Sequence, residues 1–221
     1  MNEYKTLLRD ASAEVVIQKS RFIGRAAPVE TPEAALALLE DVRLAHREAS
    51  HHCYAYIIGQ NAGVMRYSDD GEPGGTAGMP ILEGLKMRGL VNAAVVVTRY
   101  FGGVLLGAGV LTRAYAQSCG LAVQAAGLCV MTRSQRWLCE VEYPRWDRVQ
   151  HTLKGLPVKV TNQQFATSVQ FELLCREKDV ASAMAALTRV TDGRLETLLV
   201  DEMYAAWEEP AVGEAEPGGS V

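Results

Sequence analysis

The spacing of apolar positions changes several times along the chain, and each change marks an element. "AEVVIQKSRFIGRAAPV", residues 13–29, reads as two strands joined near Lys19–Ser20. "TPEAALALLEDVRLAHRE", residues 31–48, has helical spacing, with Ala35, Leu38, Leu39 and Val42 in one stripe. Thr31 suits its N-cap, Pro32 its first position, and Glu33 the positive end of its dipole. "HHCYAYIIG" and "GVMRYS" form a strand pair around the turn residues Gly59 to Gly63. "DDGEPGGTAG", residues 69–78, is a loop by every turn criterion. "TAGMPILEGLKMRG" is a short helix with Pro80 near its first turn and Thr76 as its expected cap. "VNAAVVVTRY" is a buried strand. "GAGVLTRAYAQSCGLAVQAAG" is a long helix ending at Gly127, and its small apolar residues predict burial on more than one side.

Near Thr132 the pattern changes. "RWLCEVEY", "PVKVTNQQ" and "FATSVQFELLC" alternate, "PRWDRVQHTLKG" and "EKDVASAMAALTRV" have helical spacing, and "GRLETLLVDEMY" alternates again. That order, β-α-β-β-α-β, is ferredoxin-like. The expected class is α+β, with one domain over 1–133 and a ferredoxin-like one over 134–205. Residues 206–221 are acidic and Pro/Gly-rich, and are expected to be a disordered tail. No internal repeat is visible.

Composition narrows the function classes. The chain has 221 residues, long enough to bury a core without disulfides or metal. No window approaches the roughly 18 consecutive apolar residues of a membrane span, and the charged start "MNEYKTLLRD" lacks the apolar core of a signal peptide. Both points predict a cytoplasmic protein without membrane partners. Cys53, Cys119, Cys129, Cys139 and Cys175 contain no CxxC and sit in apolar company, so they read as small buried residues. The net charge of −4 is unevenly spread: residues 206–221 carry four acids and no base. From Gly84 to Cys139 there is no Asp or Glu, while Lys86, Arg88, Arg99, Arg113, Arg133 and Arg136 fall in that run. A local positive field on a mildly acidic protein follows if these share a surface.

Three stretches carry candidate chemistry. In "VVVTRYFGGVLLGAGVLTRAY", a strand runs through Arg99 and Tyr100 into a loop spaced by Gly102, Gly103, Gly107 and Gly109, and then into a helix with Arg113. A helix start with unpaired N–H groups attracts anions, and Arg99 and Arg113, with Lys86 and Arg88, supply charge. The alternative is packing, with the arginines capping carbonyls or pairing with Asp69, Asp70 or Glu72. The spacing matches neither a P-loop nor a dinucleotide fingerprint. In "YSDDGEPGGTAG", Asp69, Asp70 and Glu72 with Thr76 suit either a ligand-gating or docking loop or a well-ordered turn, and the oxygen ligands of a calcium loop are missing. In "HHCYAY", strand alternation puts His51 and Cys53 on one face and His52 on the other. A structural role is the simpler reading there, and zinc would need more ligands. No metal or cofactor is expected. Trp137, Trp146 and Trp207 are candidates for core or interface burial.

"KSRF", "EASHHCYAY", "RYSDDGEPGGTAGMPIL" and "NAAVVVTRYFGGVLLGAGVLTRAY" resemble, in order, the IMPACT family in its bacterial YigZ branch. The resemblance implies a first domain like the second domain of ribosomal protein S5 and a second like the last domain of elongation factor G. It also implies regulation of translation, with the ribosome, RNA or translation factors as partners. Bacterial members have no settled activity, so the resemblance does not make the chain an enzyme. Gly74, Val110 and Leu105 depart from residues common in the branch, and a Lys at the last would offer phosphate a further contact. Two functions follow. One is a non-enzymatic regulator docking on the translation machinery or structured RNA through the glycine loop. The other is a phosphate- or nucleotide-binding small-molecule enzyme using the same loop. A protein–protein stress regulator, marked by an exposed apolar patch, is a third. Oligomeric state is not encoded in any visible pattern.

Overall fold

The computed structural model describes residues 3–208, which divide into two compact units, one of Glu3–Val130 together with 206–208 and one of Met131–Ala205. The first unit holds β1 (Glu3–Leu7), β2 (Ala11–Ile17), β3 (Ser20–Pro28), α1 (Pro32–Ala45), β4 (His51–Ile58), β5 (Val64–Ser68), α2 (Gly78–Met87), β6 (Ala93–Tyr100) and α3 (Ala108–Ala126). Its sheet runs β2-β3-β6-β4-β5 with every pairing antiparallel. β6 lies at the centre and is apolar without alternation because both its faces are covered. Ala93, Val95 and Val97 pack under α2 and α3 with Ile81, Leu85, Tyr115 and Ala122. Ala94 and Val96 pack against Leu38, Leu39 and Val42 of α1.

Local sequence chemistry sets the element ends. Thr31 caps α1, its Oγ1 accepting from the Ala34 N–H at 3.2 Å. Gln18 and Lys19 form a two-residue hairpin between β2 and β3, both at positive φ, as the right-handed twist of the flanking strands favours. β1 joins through a parallel bridge, Lys5 to Leu90, and the Leu8 N–H donates to the Gly127 carbonyl at 3.0 Å.

The second unit follows the order the periodicities predict: β7 (Leu128–Val141), α4 (Tyr143–Lys154), β8 (Val158–Phe165), β9 (Val169–Arg176), a 3-10 turn at Glu177–Asp179, α5 (Val180–Val190) and β10 (Glu196–Glu208). Its sheet order is β10-β7-β9-β8. Val169, Phe171 and Leu173 alternate inward along β9 onto Trp146, Val149 and Leu187. Two boundaries differ from expectation. β7 starts at Leu128, directly after Gly127 closes α3, rather than near Arg136. β10 continues to Glu208, so the predicted tail boundary at 206 falls inside a strand, and residues 209–221 lie outside the described region. All five cysteines are buried free thiols. No helix among the described residues is long and apolar enough to cross a membrane.

Candidate functional site

Antiparallel register aligns Phe22 of β3, Arg99 of β6 and His51 of β4 in one row across the sheet, on the face under α2 and α3. Arg99 is 5% exposed, although it ends an apolar strand. Its Nη1 donates to Glu72 Oε1 at 2.7 Å and its Nη2 to Ser20 Oγ at 3.4 Å, and its guanidinium lies 5.6 Å from the ring centres of both Phe22 and Phe101. Tyr115 of α3 donates its hydroxyl to the same Glu72 oxygen at 2.7 Å. Burial, above all, raises the Tyr115 phenol far beyond its ordinary range, so it remains a donor. The Arg99 Nε is buried without a hydrogen-bond partner.

The DDGEP loop is pinned by its own carboxylates. Asp69 Oδ1 accepts from the N–H groups of Ala77 (3.0 Å) and Gly78 (2.8 Å), and Oδ2 from Gly75 (2.9 Å). Asp69 therefore caps α2 from a distance in sequence. Thr76, expected as the cap, instead donates its hydroxyl to the Pro73 carbonyl at 2.7 Å, because Ala77 occupies the cap position. Asp70 Oδ2 accepts from the His52 N–H at 2.6 Å, and the Asp70 carbonyl meets His51 Nδ1 at 2.8 Å. A carbonyl only accepts, so the His51 proton sits on Nδ1 and leaves Nε2 as the basic nitrogen, 4.0 Å from Glu72 Oε1.

The glycine loop has mixed causes. A Cβ on Gly102 would lie 2.1 Å from the Lys19 backbone carbon, so packing against the β2–β3 turn demands glycine there. Gly103 and Gly107 sit at φ of 79° and 71°, where side chains strain the backbone. Gly109 has neither constraint: space over it is open. Gly107 caps α3 without a side-chain hydrogen bond, and no acid lies in the first turn. The start of α2 is thus filled by a carboxylate, whereas the start of α3 faces a cleft of about 530 Å³. Ser50, His51, Glu72 and Arg99 give the cleft polar lining, and Pro73, Phe101, Leu105, Leu106 and Leu111 give it apolar walls. Arg113 is exposed and lies one helical turn beyond Gly109 on the same side of α3.

The structure does not gather every candidate here. Strand alternation turns Tyr100 to the opposite sheet face, where its hydroxyl bonds His46 Nδ1 at 3.0 Å. Lys86 pairs with Glu83, and Arg88 donates to the Gly84 carbonyl at 2.8 Å while lying against Gly120. Gly120 is about 20 Å along α3 from its start, at a rise of about 1.5 Å per residue. Among the described residues, no group of three or more His, Cys, Asp or Glu side chains is placed to hold a metal.

Residues 18–123, which contain the whole cleft, match the Impact N-terminal domain, and residues 139–194 match a domain of unknown function, DUF1949. IMPACT family member YvyE of Bacillus subtilis is 34% identical over 194 residues, 88% of this chain and 89% of that protein. The chain belongs to the IMPACT family. Within it, the chain is also 34% identical to YigZ of Escherichia coli, over 84% of this chain and 92% of that one. A member from Thermus thermophilus is 39% identical over 81% of this chain and 98% of its own. A crystal structure of a hypothetical protein superposes with a TM-score of 0.57 at 31% identity, covering 91% of this chain and 98% of that one.

In this IMPACT-family chain, sequence reasoning missed Tyr115 as the third member of the Glu72–Arg99 cluster. The signal was present: a phenol on an otherwise small, apolar helix needs a buried partner. Ser50 and Phe101 were also missed. Phe101 stands inside the quoted loop, and only the register of β6 reveals that its ring flanks Arg99.

Proposed function

We propose that the chain is a non-enzymatic binding module of the translation machinery that docks on RNA through the cleft at the start of α3. The observation that carries this reading is the difference between two helix starts. α2 is neutralised by Asp69, while α3 offers uncapped N–H groups into open space beside Gly109, an arrangement that attracts phosphate. Arg113 adds an exposed charge, and nothing acidic lies between Gly84 and Cys139. Two further points support the reading: the S5-like first domain that the family resemblance implies, and the β-α-β-β-α-β order of the second unit, both of a kind found in ribosome-associated proteins.

Arg99 does not act as a phosphate clamp in this reading, because Glu72 already takes its charge. It positions the cleft floor. About two phosphate contacts remain, one at the helix start and one at Arg113, and these give a log–log salt slope of about −1.5. Co-sedimentation with ribosomes at two salt concentrations tests the reading. Wild type should pellet at low salt and release at high salt, and Arg113→Ala should pellet less at low salt. Failure of wild type to pellet at either salt would refute it.

One observation favours a second reading, a small-ligand enzyme. His51 presents a basic Nε2 at the cleft lining, oriented by the Asp70 carbonyl, which suits proton transfer. A thermal-shift panel of nucleotides and phosphorylated metabolites tests it, since a ligand at 100 times its Kd stabilises by about 2.7 kcal/mol. An unshifted transition across the panel would count against it.

A further inference from the structure

We infer that the cleft receives one unstacked nucleotide of single-stranded RNA, with the base against Phe101 and its phosphate at the first turn of α3. This rests on the RNA-docking reading above and specifies its ligand. The cleft has two kinds of lining. Gly107 and Ala108, at the uncapped start of the 19-residue α3, are among its polar-backbone contacts. Arg99 lines the cleft, 95% buried, with an Nε that no protein group satisfies; buried donors are rarely left so. The rest of the wall is apolar: Leu106 and Leu111 are buried in it, while Phe101 and Leu105 are 50% and 89% exposed. Phe101 and Leu105 thus bring exposed apolar surface to the same cleft.

Phe101 is held for contact. Its N–H donates to Ser50 Oγ at 3.2 Å, and the Arg99 guanidinium lies 5.6 Å from its ring centre. A half-exposed aromatic ring fixed at the mouth of an apolar cleft is a stacking platform, and every base has a π-face to offer it. A duplex has its bases already stacked, and it presents backbone and a shallow groove to such a surface. The volume of about 530 Å³ falls within the range of small-ligand sites. Glu72 faces the same cleft, but its Oε1 is taken by Arg99 and Tyr115, so the charge left for a ligand in the cleft is that of the helix start. An anion with a flat apolar body matches both kinds of lining. An apolar protein segment would match only one.

The test is fluorescence anisotropy of a labelled eight-nucleotide single-stranded RNA, and of the same sequence as duplex, titrated with the intact chain. The single strand should bind at least tenfold tighter than the duplex. Phe101→Ala should weaken single-strand binding by about 5- to 150-fold while leaving the salt slope unchanged. Phe101→Trp should keep the affinity, and its indole should be quenched on binding beyond any change in the three native tryptophans. Equal affinity for duplex and single strand, or full affinity in Phe101→Ala, would overturn the inference while leaving ribosome docking intact. Ribosome binding without affinity for any RNA would point to a protein segment in the cleft and overturn it too. Absence of binding to both ribosomes and RNA would instead bring down the reading it rests on.

Discussion

Removing Arg99 should damage the fold before it informs on binding. The Arg99 and Glu72 side chains are 6% and 3% exposed and meet at 2.7 Å. At an effective dielectric constant of about 20, opposite charges at that distance attract by about 6 kcal/mol. Desolvation offsets much of this in the intact pair, but truncating one partner strands the other in the interior at a cost of about 3–5 kcal/mol. Arg99→Ala and Glu72→Ala should each lose about that much, the latter also orphaning the Tyr115 hydroxyl. The melting temperature should fall by about 10 °C or more. The double variant should cost about 2–3 kcal/mol less than the sum, because neither charge is then left alone. Urea denaturation followed by far-UV circular dichroism reads these values. Single losses below about 1 kcal/mol with an additive double variant would refute the buried pair, and would return Arg99 to the list of free phosphate contacts.

Asp69→Ala removes the acceptor of three N–H groups at the start of α2 and should cost about 1–2 kcal/mol in the same assay; an unchanged midpoint would deny it the capping role. Gly102→Ala forces a Cβ to 2.1 Å from the Lys19 backbone and should lose at least about 1–3 kcal/mol, where a neutral result would mean that the loop has slack. Burial pushes the Cys53 and Cys139 thiols up to about 12, so a disulfide reagent at pH 8 should react with them only after unfolding; rapid native reaction would contradict their burial. Burial also lowers the His52 pKa below its ordinary 6.5. The unfolded chain then binds more protons, so stability should fall as pH drops through 6.5 towards the folded value. His52→Gln should flatten that slope, and an unaltered pH profile would assign it elsewhere.

The elements were legible because their signals are local. Thr31 and Pro32 start α1, the apolar run 93–97 has the length of a central strand, and Gly127 ends α3. What stayed hidden depends on distances in space. Asp69 caps a helix nine residues downstream, so the nearer Thr76 looked like the cap. Arg99 reads as a surface cation until Glu72, 27 residues earlier, folds beneath it. Lys86 and Arg88 share an acid-free stretch with Arg113, yet a helix rise separates them from the cleft. Of the glycines, Gly102 is explained by packing and Gly103 and Gly107 by backbone angle; only Gly109 is left for a ligand to explain.

Gly109→Asp tests the central claim most directly. A carboxylate in the first turn of α3 favours the helix dipole and replaces a poor helix former, so the variant should be at least as stable as wild type. It also puts a negative charge in the same first turn of α3 to which the phosphate is assigned. Ribosome affinity measured across a salt series should therefore drop at least tenfold at low salt, with a shallower log–log slope, in a protein that melts no lower than wild type. A stable Gly109→Asp variant with wild-type affinity and slope would contradict the claim that the start of α3 is the RNA contact.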